Sequence, residues 1–574
     1  MVRVLLFRVF LLNLLVFSPF YSLEHFGLFS PVSFICQAAV LFCPGLLITR
    51  FSRQADRSPV YWFFRGLMLS FLINLSVSFI IYGWDLARDP FSFLVIMAVT
   101  ANCFLAGSYF FHVRQGQESS LRETFSQLRR NLSRQKILAQ IMMCLILSLA
   151  LILIHQVKIS LHIIYDLETF HIGSAYGLMK NFKPAMWPSV PDKTFREFNY
   201  SRPPLTHLYT AWSIQLAGLL PETEPYYSFT KVPLEVRPRP ETFWINGEKT
   251  DFPSEKIANA QGGNGQGVRI KVAPSIPISE KLLMAGRIPQ AFAFWFSLIL
   301  LIYFFRAHQI RLEWQVLGLL LYLSMPEVLI RGASASAVPM TYLFYLFLIY
   351  FFLDTDQEKK RRDRYIFATS FILFWVNQKS AVFGLGVILW RFARYNSFKE
   401  IITDASVLGF GSGFFTYAVY GLWCDPLDFF HAFLAEQGIN RFLLFRVLPP
   451  QDRIYPDVVH LWLQFNQFLG HPFLFVSGIV LLISSWHYKR KQGIFIFWFM
   501  ITFILGSLID RRMTRHVTTA IMPLFLPFVL TANRSSPNWR YILGVIVIYI
   551  ILTNSTLDWT IVTNFDEISP LPAW

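Results

Sequence analysis

Three residues suited to acid–base chemistry lie close together in "YDLETFHIGSAYGLMKNFKP", Tyr165 to Pro184. Asp166 and Glu168 are carboxylates, and His171 follows five residues after the first. A carboxylate here could accept a hydroxyl or amine proton from a bound substrate. Glu168 and His171 are three apart and share a face if the segment is helical; Asp166 and Glu168 do not. The functional reading puts Asp166 in the loop mouth as the base. Glu168 or His171 would then orient it, or Asp166 and Glu168 would hold a divalent ion. A second reading needs no chemistry: Asp166 caps a helix, and Glu168 favours the dipole of its first turn. The two readings are compatible.

The elements that must position these residues are membrane spans. The apolar run Ile137 to Val157 ends just before Tyr165, and similar runs recur along the 574-residue chain. Each is long enough to cross a hydrocarbon core of ~30 Å. With 54% hydrophobic and only 15% charged residues, the chain reads as an all-α polytopic membrane protein, not a soluble globule or a barrel. The formal charge of +16 fits cytoplasmic loops rich in Lys and Arg, so no nucleic-acid partner is expected. The five cysteines show neither metal-ligand spacing nor a disulfide framework. The opening "MVRVLLFRVFLLNLLVF" resembles a signal peptide but lacks a small-residue cleavage site, so it is expected to stay as a first helix.

Charge sets the expected topology. Spans are expected near 4–21, 28–49, 60–82, 91–112 and 137–157. The loops "RFSRQADR" and "VRQGQESSLRETFSQLRRNLSRQK" are basic and belong inside. Residue 158 onward then faces outward. "LTHLYTAWSIQLAGLL" (205–220) is short and carries His207, Thr210, Ser213 and Gln215. It reads as an external juxtamembrane helix, because a crossing there would put later basic runs outside. Further spans are expected near 288–305, 313–329, 337–353, 365–377, 380–393, 401–420, 470–486, 492–509, 516–532 and 541–557, roughly fifteen in all. The chain thus divides into a four-span extension (1–136), a core (137–532) and a last span with its tail (533–574). The core carries external excursions at 158–220, 221–285 and 421–469. Within 221–285, Asn246-Gly247 between short apolar runs is a hairpin signal, and "VRIKV" alternates like a strand. The Gly-rich "GGNGQG" lacks a following Lys-Ser and opens no helix, so it reads as a loop tip.

With that topology, some cations fall on the unexpected side. Arg202, Arg331, Lys379, Arg441, Arg446, Arg511, Arg512 and Arg515 all lie at or near the external face. Partly desolvated cations are costly without partners. Any one of them can snorkel or meet a headgroup. Together they suit an anionic ligand such as a carrier phosphate, to which Arg offers a fork of donors and Lys a point charge. Tyr200 and His516 are further candidates beside this set.

Several segments, in order, resemble the C superfamily (GT-C) of lipid-carrier-dependent glycosyltransferases, which includes protein O-mannosyltransferases and lipid A aminoarabinose transferases. "YDLETFHIGSAYGLMK" resembles its first external loop, and "NYSRPPLTHLYTAW" its Lys/Arg-Pro-Pro-Leu segment. "AGRIPQAFAFWFSLILLIYFFR" resembles the Arg-x-Pro entry to a span. "MPEVLIRGASASAVPMTYLFYLFL" and "FWVNQKSAVFGLGVILW" resemble the next two blocks. "DFFHAFLAEQGINRF" and "RRMTRHVTTAIMPLFLPFVL" resemble a later external segment and a basic-then-Pro span. The resemblance covers about 137–532. It implies a GT-C-like fold, Asp166 as catalytic base, and donor-phosphate contacts from Arg202, Lys379 and the Arg511, Arg512 and Arg515 group. Two places depart from the pattern: Leu167 separates Asp166 from Glu168, and Ser201 stands where some relatives carry Glu.

The resemblance implies an inverting transfer of a sugar from a polyprenyl- or dolichyl-phosphate carrier to a glycan, lipid or protein acceptor. The expected setting is a bacterial inner membrane with the site facing out, or an endoplasmic reticulum membrane. Two other classes compete. A flippase for lipid-linked glycan would need polar residues through the midplane of broken helices. A non-catalytic assembly subunit would use 221–285 for docking.

Overall fold

The computed structural model describes residues 2–49, 59–84, 89–114, 134–160, 168, 170–181, 205–219, 227–233, 242–245, 248–251, 268–274, 280–353, 359–376, 418 and 521–563. Its framework is helical, and the chain is an integral membrane protein. Among the described residues, six helices are long and apolar enough to cross a membrane. They are α1 (Val2–Phe26), α4 (Pro59–Gly83), α5 (Pro90–Arg114), α6 (Arg134–Ser160), α9 (Glu280–Ala307) and α15 (Pro537–Thr563). Between them lie α2 (Pro31–Phe42), α3 (Pro44–Ile48), α7 (Phe170–Asn181), α8 (Leu205–Leu216), α10 (Leu312–Leu323), α11 (Pro326–Ala333), α12 (Val338–Leu353), α13 (Lys359–Val376) and α14 (Ile521–Arg534). The expected spans at 380–393, 401–420, 470–486 and 492–509 lie outside the described residues, apart from position 418 within 401–420.

Burial separates the helices by place. The apolar window of α9 is 83% buried, that of α6 28% and that of α15 22%. α9 is therefore central, while α6 and α15 turn large apolar side chains such as Leu149, Ile152 and Leu552 outward. Apolar surface of that extent suits lipid rather than water. Trp295 on α9 donates its indole N–H to the Leu147 carbonyl of α6 at 2.9 Å, which fixes one helix against the other.

The expected span 28–49 is two helices. Pro44 has no N–H, so the helical ladder stops there. Gly45 N–H turns to Ser70 Oγ at 2.9 Å, and Leu46 N–H to the Cys43 carbonyl. The carbonyls of Leu41 and Phe42 thereby lose their partners in the helix. α4 replaces them: Asn74 Nδ2 donates to Leu41 O at 2.8 Å, and Ser70 Oγ to Phe42 O at 2.7 Å. A break within lipid is tolerated only when its freed groups are satisfied in this way. The contact leaves no room for a side chain at Gly45. A Cβ there would strike the Gly66 carbonyl and lie 2.5 Å from the Ser70 nitrogen. Gly45→Val should therefore cost about 3 kcal/mol, the upper range for overpacking. A thermal midpoint equal to the wild type would refute this packing.

The helix starts follow cap chemistry. Asp89 precedes Pro90, and its Oδ1 accepts the Ser92 N–H at 2.9 Å. Hydrogen bonds from Ser92 hold the Asp89 carboxyl below its ordinary pKa. A lowered native pKa adds stability above the unfolded carboxyl range, and this is lost as pH falls through the native value. Asp89→Ala should cost about 0.5–1 kcal/mol near neutral pH. The gap between the two proteins should close in acid, as read by paired thermal melts.

Two further elements differ from expectation. α8 is buried at every position from Leu205 to Leu216. A helix buried all round belongs inside a bundle rather than along a membrane face. α8 is thus enclosed by other helices, and its polar stripe is not an exposed face. Two of its polar groups bond α4: the Tyr82 hydroxyl bonds Gln215, and the Trp212 indole bonds Ser78. The expected span 313–329 is also broken, into α10 and α11, at Ser324-Met325 before Pro326.

Strand pairing occurs within 227–274. β1 (Tyr227–Pro233) runs antiparallel to β4 (Val268–Pro274), with Lys231 opposite Ile270. β2 (Thr242–Ile245) pairs antiparallel with β3 (Glu248–Asp251), with Ile245 opposite Glu248, on either side of Asn246-Gly247.

Candidate functional site

The site is built from helix ends. At the C-terminus of α6 the last carbonyls lack partners within the helix. Arg287, in the second turn of α9, donates Nη1–H to the Lys158 carbonyl at 2.8 Å. The same guanidinium grips Glu168 in a fork, Nε to Oε1 and Nη2 to Oε2, both at 2.7 Å. Both side chains are fully buried. Glu168 Oε1 also accepts the Ala335 N–H at 2.8 Å, from the connection between α11 and α12. One carboxylate and one guanidinium thus tie together α6, the segment after it, α9 and the α11–α12 connection. The fork is the geometry for which Arg, not Lys, is suited.

Arg331 is buried in the last turn of α11, four residues before Ala335. Its carbonyl accepts the hydroxyls of Ser334 at 3.1 Å and Ser336 at 3.2 Å. Positive charge at a helix C-terminus is favoured by the dipole. The Arg331 residue predicted from the sequence therefore sits in the segment that also contacts Glu168.

His171 and His207 form a second buried pair. His171 Nδ1 and His207 Nε2 lie 3.0 Å apart, so one ring donates to the other. They join α7 to α8, and both helices close on α9 at Gly286. A Cβ on Gly286 would lie 3.1 Å from Ile172 Cγ1 and 3.6 Å from Thr210 Cγ2. The glycine lets three helices meet one residue before Arg287.

Glu168 and His171 each engage a distant helix: Glu168 meets Arg287 of α9, and His171 meets His207 of α8. Both Glu168 oxygens are taken up by the guanidinium, and the neighbouring positive charge disfavours a further cation on them. The Glu168 environment therefore does not fit a divalent ion. Among the described residues, no group of three or more His, Cys, Asp or Glu is gathered as metal ligands would be. Asp166, Tyr200, Arg202, Lys379, Arg441, Arg446, Arg511, Arg512, Arg515 and His516 lie outside the described residues.

Two participants, Arg287 and His207, were not singled out from the sequence. Arg287 lies in the "AGRIPQ" segment and is one more cation near the end of an apolar helix, which was the available clue. His207 was read as part of a surface stripe. Comparison of the chain with protein-family models, curated proteins and solved structures gave no match.

Proposed function

We propose that the chain is a membrane-integral, inverting glycosyltransferase. Its donor is a sugar on a polyprenyl- or dolichyl-phosphate carrier, and its acceptor is a glycan, lipid or protein at the external or lumenal face. The observation that carries the reading is the buried Arg287–Glu168 fork, two residues beyond Asp166. A loop bearing a catalytic base must be held in place, and a buried bidentate lock supplies that restraint.

In this mechanism Asp166 removes the proton of the acceptor hydroxyl or amine. The freed lone pair forms a bond to the anomeric carbon, and the bond from that carbon to the phosphate oxygen breaks. The leaving group is a polyprenyl phosphomonoester. Its developing charge falls to Arg202, Lys379 and the Arg511, Arg512 and Arg515 group, since fixed cations in a dry site stabilise charge strongly. Glu168 and Arg287 position; they transfer no proton. His171 and His207 hold α7 against α8.

The test uses purified full-length protein in nanodiscs with a radiolabelled polyprenyl-phosphate sugar. Loss of transfer on Asp166→Asn, with donor binding retained, is the expected result. Arg202→Ala should weaken donor binding instead. Undiminished transfer by the Asp166 variant would reject the assignment.

A further inference from the structure

Lys158 is the last residue but two of α6, at the boundary of the apolar run Gln140–Ile159. Its side chain is fully buried, and among the described residues Nζ has no hydrogen-bond acceptor. It stands over the Phe34 ring of α2, 4.4 Å from the centroid. His155, one turn earlier on the same face of α6, is also buried. Its ring centroid lies 5.2 Å from that of Phe34. The nearby Arg287 adds a second cation, but Glu168 already answers it. Among the described residues, Glu168 is the carboxylate at this end of α6 and it faces Arg287, so Lys158 has no counter-charge of its own there; a buried ammonium in that state is costly.

We infer that Lys158, with His155 beside it, is a binding site for one phosphate oxyanion, supplied by an anionic glycerophospholipid seated in the seam between α2 and α6. Three observations favour this occupant. Lys158 ends an apolar span, which places its amine near headgroup level. Both helices of the seam carry lipid-facing apolar side chains, Val32 and Ile35 on α2 and Leu149 and Ile152 on α6, where acyl chains can lie. Phe34 belongs to the start of α2, next to the exposed turn at Gly27 and Phe29, so the approach from the interface is short. Phe34 lies in the N-terminal extension and Lys158 in the core, so the lipid would join the two. The inference uses none of the residues assigned above to the carrier phosphate and stands without the transferase reading.

The test is native mass spectrometry and thermal melting of the full chain in nanodiscs of phosphatidylglycerol or phosphatidylcholine. Wild-type protein should retain one phosphatidylglycerol and melt higher in that lipid. Lys158→Met should weaken retention by about tenfold, the scale of one charge-assisted hydrogen bond, whereas Lys158→Arg should keep it. If inorganic phosphate in lipid-free detergent raises the wild-type melt and Lys158→Met abolishes that rise, the oxyanion site holds with free phosphate as its source. Equal retention by Lys158→Met and wild type overturns the inference. Should that variant fail to fold, equal wild-type retention and melting in the two lipids, with no response to phosphate, overturns it as well.

Discussion

Arg287→Met is expected to lower stability by about 3–5 kcal/mol, the cost of leaving one member of a buried ion pair without its partner. Glu168 would keep its burial and its Ala335 contact but lose the fork that neutralises it. Glu168→Gln should cost a similar amount, because the guanidinium then faces a neutral amide. Arg287→Lys should fall between these and the wild type. A lysine keeps the charge but cannot grip both oxygens and the Lys158 carbonyl in one plane. The double variant Arg287→Met with Glu168→Leu is the informative one. Replacing both partners by apolar groups removes two desolvation penalties together, so it should be more stable than either charge-deleting single variant. Thermal unfolding in nanodiscs at fixed lipid and protein concentration gives the comparison. A double variant whose loss equals the sum of the two single losses would mean that the residues do not act as a pair.

The lock also shows how far the sequence could be read. The long apolar runs of α1, α4, α5, α6, α9 and α15 declare themselves by length and composition, because a bilayer demands both. The breaks are less visible. Pro44 and Pro326 were present as breaker residues, but hydropathy averages over them and joins the halves. What permits the first break is a pair of polar side chains, Ser70 and Asn74, on another helix. α9 begins at Glu280, earlier than the Arg-x-Pro segment suggests, and carries Pro289 inside it. That moves Arg287 from a span entrance to a buried helical turn. The stripe on α8 was misread for a related reason. His207, Thr210, Ser213 and Gln215 at helical spacing fit either a wet face or a face turned to other polar groups. Only the positions of His171 and Tyr82 decide between them. Glu168 and Arg287 are 119 residues apart, and no local spacing links them. A local reading pairs Glu168 with its sequence neighbours, whereas its described partners are Arg287 and Ala335.

Asp166→Asn should reduce transfer by about 10²–10⁴-fold, the usual contribution of a positioned general base. The amide keeps the shape and loses the proton acceptor, so donor affinity should stay near the wild-type value. The positioning pair should respond differently. Arg287→Lys in folded protein should lower kcat through a misplaced Asp166, since small displacements of reacting groups carry large costs. It should also be epistatic with Asp166→Asn: once the base is gone, loosening its loop has little left to remove. A purely structural role for Arg287 predicts instead that the two losses multiply. Single-turnover kinetics on protein matched for folded fraction separates the outcomes. The same samples test the flippase rival. Protein that moves carrier lipid between leaflets without cleaving the sugar, and does so equally well with Asn at position 166, would replace the transferase reading while leaving the Arg287–Glu168 lock in place.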